Sequence, residues 1–202
     1  MEIFNDPEGY AKWYKIHEKS YESEKRLVSS FNLRDCLDIG SGPGIFHEVI
    51  KGNVISLDIS IFMLINAPEK EDRVQGDALQ LPFRDNAFPC VFSSVTVCFV
   101  EDPRKLVKEM KRVSKNRVVI CYVPRDSPFG MYYEALGKKG HKYYSHANFV
   151  SKRELYEAFT SEGMKIKAIR STLFFSPNED EKIDEIREGD SGSFVCVEAV
   201  KQ

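Results

Sequence analysis

The stretch that decides the fold reads Cys36-Leu37-Asp38-Ile39-Gly40-Ser41-Gly42-Pro43-Gly44. Apolar residues up to Ile39 predict a buried strand, and the glycines that follow let the backbone turn sharply so that a ligand can lie against it. A dinucleotide-binding turn needs a small third residue at position 45, but Ile45 stands there. The acid Asp38 disfavours a pyrophosphate, because like charges repel, and favours an ammonium. A cationic nucleoside that carries an amino acid fits this pattern best.

Three further segments follow in a fixed order. Asn53–Asp58 reads as a strand that ends in an acid, Gly76–Phe83 places Asp77 and Ala78 after a glycine, and Phe88–Asp102 contains the strand Val91–Val95 and the start of a helix. With the glycine turn, these motifs resemble those of the class I S-adenosylmethionine-dependent methyltransferases. The resemblance implies that Asp58 binds the ribose hydroxyls and that Asp77 accepts from the adenine amino group.

The same resemblance implies a set of residues that hold S-adenosylmethionine and its product S-adenosylhomocysteine. The set is Tyr10, Asp38, Gly40, Ser41, Gly42, Gly44, Asp58, Ile59, Met63, Asp77, Ala78, Leu79, Ser94 and Val95. Tyr10, with Trp13 and Tyr14, resembles an N-terminal motif that closes over the methionine end of the cofactor; packing of a helical cap explains these aromatics equally well.

Within the class, the chain most resembles the type 11 branch that includes the ubiquinone and menaquinone biosynthesis methyltransferases. That branch usually has paired histidines after the fourth strand, where this chain has Cys98-Phe99. Since the substrate lies at this place, the quinol chemistry of the branch is not carried over.

Alternating strand and helix signals from residue 34 onward predict an α/β fold, a Rossmann-like seven-stranded sheet that is mostly parallel, with an antiparallel last strand and helices on both faces. The prediction is one methyltransferase domain over residues 1–202. It consists of an N-terminal helical cap (1–32), a cofactor-binding core (33–124), a lid insertion (125–150), and a C-terminal helix with the last two strands (151–202).

Local signals place several elements. A helix is predicted to begin at His47 after the glycine turn, and another runs from Pro103 to Ser114 with Asp102 as its cap. Ser151 and Glu154 form a capping box for a helix that ends near Gly163. The last strands are predicted over 164–170 and 193–200, joined by a long, exposed acidic connection at 176–190.

Composition limits the class of protein. The chain has 202 residues, 42% of them apolar, and a net charge of −2, which gives no overall attraction to nucleic acid or to acidic membranes. No apolar run is long enough to cross a membrane, and the N-terminus lacks a secretory pattern. The five cysteines form no C-x-x-C pair, and four of them lie inside or beside apolar runs, which predicts reduced thiols and a cytoplasmic location.

The insertion from Ser127 to Phe149 is rich in aromatic residues and predicts a lid over the methyl group. Candidate general bases there and after the fourth strand are His146, Tyr144, His141 and Cys98, each of which packing alone would also explain. The spacing of His141 and His146, with no acid between them, predicts no metal site.

The predicted activity is transfer of a methyl group to a small-molecule acceptor. Two alternatives stay open: an RNA or protein methyltransferase that docks its substrate on the lid and on the basic helix 103–114, and a non-catalytic protein that binds the cofactor. The sequence names neither the acceptor nor the oligomeric state.

Overall fold

A computed structural model describes residues 2–202; Met1, the first residue of the predicted cap, lies outside them. In this part of the chain one sheet has eight strands in the order β3-β2-β1-β4-β5-β8-β6-β7. The strands are β1 (Arg34–Ile39), β2 (Lys51–Asp58), β3 (Asp72–Gln75), β4 (Phe88–Ser94), β5 (Ser114–Tyr122), β6 (Met164–Thr172), β7 (Arg187–Glu188) and β8 (Phe194–Lys201). Strands β1 to β5 are parallel, and β8 runs antiparallel to both β5 and β6. The predicted α/β class is confirmed.

The sheet has one strand more than the seven that the sequence predicts. The two-residue β7 pairs with Arg170 and Ser171 at the edge of the sheet. It arises in the acidic connection that was predicted as a plain exposed hairpin, and the Arg170 side chain fixes it by donating to Glu188 at 2.8 Å.

The helices are α1 (Pro7–Ile16), α2 (Glu18–Ser29), α3 (Ile61–Leu64), α4 (Pro103–Val113), α5 (Pro128–Lys138) and α6 (Lys152–Ser161). Asp102 caps α4 by accepting from the backbone of Arg104 at 2.8 Å, and Ser151 and Glu154 form the predicted capping box of α6. Among the described residues, none of the helices has both the length and the apolar content needed to cross a bilayer.

Two apolar cores lie on opposite faces of the sheet. One packs α1, α2 and the lid against side chains such as Phe92 and Phe194. The other packs α4 and α6 against side chains such as Leu37 and Val91. Because both faces are covered, the central strands are apolar on both sides, as parallel strands in such folds are. The carboxyl ends of β1, β2 and β4 open toward α1 and the lid.

The prediction that a helix begins at His47 is wrong. Only a single turn of 3-10 helix forms at His47–Val49, and β2 begins at Lys51. The imidazole of His47 is buried between two carboxylates, those of Asp38 and Glu71. These contacts hold the segment against β1 and leave no room for further helical turns before β2.

The prediction of reduced thiols is wrong for four of the five cysteines. Cys36 is bonded to Cys90 across β1 and β4, and Cys121 is bonded to Cys196 across β5 and β8. Both pairs are direct register partners on neighbouring strands, so the pairing depends on sheet register and not on spacing in the sequence. Cys98 alone is free, and it is buried.

Candidate functional site

The glycine turn after β1 shapes one wall of a cleft. Gly40 and Gly42 adopt the left-handed region, with φ of +68° and +54°. A Cβ on Gly40 would lie 2.1 Å from Oγ1 of Thr96, whereas one on Gly42 would meet nothing closer than Tyr10 at 3.9 Å. Gly40 therefore packs against the segment after β4, and Gly42 leaves open space into which a ligand can fit.

Asp58, at the end of β2, ties the glycine turn to the next segment. Its Oδ2 accepts from the backbone of Gly42 at 2.9 Å, and its Oδ1 accepts from the backbone of Ser60 at 2.8 Å. Burial raises the pKa of this carboxyl, although the backbone donors act in the opposite direction. Asp58 lines the cleft, and each oxygen keeps a second lone pair for a ligand hydroxyl.

Asp38 lies beneath the turn and is absent from the cleft wall. Its Oδ2 is 2.8 Å from Nε2 of His47, whose Nδ1 is 2.6 Å from Glu71. Burial lowers the pKa of His47, but the two carboxylates outweigh it and the net shift is upward. The other oxygen of Asp38, Oδ1, is buried and finds no partner among residues 2–202. This orphaned oxygen beside the turn suits a cationic ligand group.

The cleft has a volume of about 310 Å³. At its far side, Asp77 accepts from the backbone of Leu79 at 2.8 Å. Most of the residues predicted to hold the cofactor line this cleft, namely Tyr10, Gly40, Gly42, Asp58, Ile59, Met63, Asp77, Ala78, Leu79, Ser94 and Val95. Asp38, Ser41 and Gly44 do not. A Cβ on Gly44 would collide with His47, so this glycine is required for packing of the turn.

Several residues that line the cleft are absent from the predicted set, and Phe4 is one of them. Phe4 covers the cleft from the N-terminal side, and its carbonyl accepts from the hydroxyl of Ser60. Its ring lies edge-on to Phe99 at 5.0 Å and stacks on Tyr143 of the lid at 5.8 Å. A lone phenylalanine ahead of the first helix gives no periodic signal by which this role could have been recognised.

Val95, directly after β4, has a φ of +60°. This conformation is costly for a β-branched residue and is held by a hydrogen bond from its backbone to Cys121 at 2.8 Å. Val95 lines the cleft and also a second cavity. The strained residue therefore lies where the two spaces meet.

The second cavity, the aromatic cavity, has a volume of about 260 Å³ and lies between α1, α2 and the lid. It shares Tyr10, Val95 and Phe99 with the cleft. Its other lining residues are Gly9, Lys12, Trp13, Tyr14, Ile16, Glu24, Cys98, Val123, Tyr133, His141, Tyr143, Tyr144 and Phe149.

Three of the four candidate bases, His141, Tyr144 and Cys98, line the aromatic cavity. His146 is exposed and lines neither space. Burial raises the pKa of the Cys98 thiol to about 12 and that of the Tyr144 hydroxyl further still. Both groups therefore keep their protons near neutral pH and can position an acceptor without acting as bases. Among the side chains that the structure describes, those of residues 3–202, no three or more His, Cys, Asp or Glu residues are grouped to hold a metal ion.

Comparison with known proteins agrees with this geometry. A family model described as a methyltransferase domain matches residues 37–121, which span the glycine turn to β5. The chain is 32% identical over the full length of both chains to the uncharacterized protein MJ1123 of Methanocaldococcus jannaschii. It also superposes on a SAM-dependent methyltransferase of Thermotoga maritima, described as a possible histamine N-methyltransferase, with a TM-score of 0.91 and 29% identity, covering 100% of this chain and 99% of that one.

A shorter match links the chain to the type 11 branch. It is 36% identical over 85 residues to the demethylmenaquinone methyltransferase of Renibacterium salmoninarum, covering 39% of this chain and 36% of that enzyme. The family model, the full-length structural match and the cleft agree on one class. The chain belongs to the class I methyltransferases of the type 11 group, and S-adenosylmethionine is its methyl donor.

Proposed function

We propose that the enzyme methylates a small-molecule acceptor that binds in the aromatic cavity. The observation that carries the proposal is the position of this cavity next to the cofactor cleft, with Tyr10, Val95 and Phe99 on the walls of both. An apolar cavity of this kind is the usual site of a small ligand.

When bound, S-adenosylmethionine supplies an electrophilic methyl group on a sulfonium. The residues of the chain then have three tasks: Asp58 and Asp77 bind the nucleoside, the orphaned oxygen of Asp38 favours the ammonium, and the shared wall aligns the acceptor. Alignment and exclusion of water supply much of the rate enhancement in such a reaction.

Contacts between the N-terminal segment and the lid support water exclusion. Lys142 of the lid forms an ion pair with Asp6 at 2.9 Å, and the ring of Tyr143 lies 5.9 Å from that of Tyr10. These contacts hold the N-terminal segment against the lid beside both spaces, which suits a small acceptor better than a folded polymer.

The alternative of an RNA or protein substrate relied on the basic face of α4. Two of its basic side chains are engaged within the chain: Lys111 donates to the carbonyl of Glu162 at 2.6 Å, and Arg112 pairs with Glu109 at 2.7 Å. The helix also packs on the sheet face opposite the aromatic cavity. Neither observation favours docking of a polymer at the methyl group.

The relatives' descriptions support the class of acceptor without selecting one, since histamine and demethylmenaquinone are both small molecules. The cytoplasmic location stays a prediction. Because four of the five cysteines form disulfides, reduced thiols no longer support this location.

The test is incubation of the purified enzyme with S-adenosylmethionine labelled in the methyl group and a cell extract separated into metabolites, RNA and protein. The Asp58→Ala variant serves as the cofactor-binding control. We expect label in the metabolites with the wild-type enzyme only. Label in RNA or protein, with none in metabolites, would contradict the proposal.

A further inference from the structure

Glu24 is the one carboxylate on the wall of the aromatic cavity. It lies on the inner face of α2 beside Leu27 and Val28, and its exposure is 4%. Among the side chains of residues 3–202 and the backbone of residues 2–202, no group forms a hydrogen bond or ion pair with the Glu24 carboxylate. Glu24 lines the aromatic cavity and is absent from the wall of the cofactor cleft.

An unpaired buried carboxylate destabilises a fold, and such groups are rare unless a ligand completes them. No basic side chain that lines the cavity in the described part of the chain forms an ion pair with Glu24. The cavity wall has two basic side chains in the described part of the chain, Lys12 and His141. Lys12 is exposed to solvent, and the ring of His141 stacks on that of Tyr144 with 4.2 Å between the ring centroids.

The rings around Glu24 provide a second, independent feature. Besides Glu24, the cavity wall carries tyrosine and tryptophan rings in the described chain that reach it from α1 and the lid, those of Tyr10, Trp13, Tyr14, Tyr133, Tyr143 and Tyr144. Faces of tyrosine and tryptophan attract organic cations, and the attraction grows when the site is desolvated. A carboxylate within an aromatic enclosure is therefore complementary to a positively charged nitrogen with an apolar body.

We infer that the aromatic cavity recognises its acceptor as an organic cation, a protonated amine, and that Glu24 is the counter-ion that binds it. The inference rests on the proposed function, which supplies the reason for a small molecule to enter this cavity. Glu24 is thus a specificity-determining residue, and neutral or acidic molecules of the same shape bind more weakly.

Binding should depend on pH. Burial, and next the negative charge of Glu181, raise the pKa of Glu24 to about 8. The free protein therefore holds Glu24 mostly protonated at pH 7, and an entering cation displaces that proton, so its affinity should rise toward pH 8.5. Five tyrosines near Glu24 have raised pKa values that keep them neutral over this range, namely Tyr10, Tyr14, Tyr21, Tyr133 and Tyr144. The cavity wall also carries Lys12, Cys98 and His141, and Glu24→Gln retains all three, so the comparison with this variant separates their titration from that of Glu24.

Trp13 makes the test direct, since it is the only tryptophan of the chain and lies on the cavity wall. Its fluorescence is titrated, with S-adenosylhomocysteine present, using 2-phenylethylammonium, the neutral 2-phenylethanol and the anionic 3-phenylpropionate. The proteins are the wild type, Glu24→Gln, and the matched control Glu18→Gln, which alters an exposed acid on the same helix. Melting curves verify that each variant is folded.

We expect the wild type and Glu18→Gln to bind the cation about tenfold more tightly than the alcohol, and Glu24→Gln to lose this preference. Only proteins that retain Glu24 should bind the cation more tightly at pH 8.5 than at pH 6.5. Equal binding of cation and alcohol, tighter binding of the anion, or an unchanged preference in Glu24→Gln would overturn the inference.

The labelling experiment separates this result from the proposed function. If only neutral or acidic metabolites carry the label, the proposed small-molecule activity is supported and the inference of a cationic acceptor is contradicted. Label confined to RNA or protein would remove both.

Discussion

The cofactor cleft and the aromatic cavity share a wall but are built differently. The cleft takes its polar groups from the ends of β1, β2, β3 and β4 and the turns that follow them, so each group belongs to a short, contiguous motif. The aromatic cavity takes most of its walls from α1 and α2, which are adjacent in the sequence, and from the lid, which begins about a hundred residues after α2 ends. The first site is a property of local sequence, whereas the second exists only after the helices have assembled.

The largest effect should come from the glycine that packs within the cleft wall. In Gly40→Ala the added Cβ collides with Thr96 and the residue is strained at φ of +68°, so we expect a loss of about 3 kcal/mol in the free energy of unfolding. Gly42→Ala shares the strain without the collision and should lose about 1 kcal/mol. Urea denaturation measures both; equal losses would show that the wall around Gly40 is not packed as described.

A smaller effect should follow from removing the carboxylate at the end of β2. In Asp58→Ala the acceptors for the ribose hydroxyls disappear, and we expect S-adenosylhomocysteine to bind about tenfold more weakly, or worse, by calorimetry. Asp58→Asn keeps one oxygen acceptor and should lose less. Unchanged affinity in Asp58→Ala would contradict the assignment of this residue to the nucleoside.

Glu24 offers a test of the cavity that needs no ligand. Its pKa is raised from 4.5 to about 8, so between these values the unfolded chain is ionised while the folded chain keeps the proton. The free energy of unfolding therefore falls as pH rises between these two values, by about 1.4 kcal/mol for each pH unit. The loss of stability begins above pH 4.5 and is complete above about pH 8.

Glu24→Gln removes this dependence. We expect the stability difference between the variant and the wild type to grow in favour of the variant by about 1 kcal/mol from pH 6.5 to pH 7.5. Because the difference cancels all other titrating groups, urea curves at these two pH values suffice. A constant difference would mean that Glu24 is solvated or already paired.

The smallest effect should come from the exposed basic face of α4. Lys105→Ala and Lys108→Ala should change the free energy of unfolding by less than about 0.5 kcal/mol and leave turnover unchanged. Both lysines are exposed and make no ion pair among residues 2–202. A marked loss of methyl transfer in either variant would support the alternative that an RNA or protein substrate docks on this helix.

The difference between the two sites also explains what the sequence could predict. Four ordered motifs predicted the fold class and most of the cleft, because each strand end places its own acid or glycine at the cleft. Phe4 was not identified, since its position depends on a contact with Ser60 across more than fifty residues. The cysteine pairs depend on sheet register, which motif order does not specify.

Glu24 could have been found. It occupies a helical face with Leu27 and Val28, and an acid at the inward position of an amphipathic helix is a signal by itself. What the sequence could not provide is the enclosure, because α2 meets the lid only in the folded chain.

A crystal structure of the enzyme with S-adenosylhomocysteine tests the central claim most directly. The account predicts the nucleoside against Asp58 and Asp77, with the sulfur at the wall formed by Tyr10, Val95 and Phe99 and facing the aromatic cavity. A sulfur that faces bulk solvent, with the aromatic cavity closed off from it, would contradict the account.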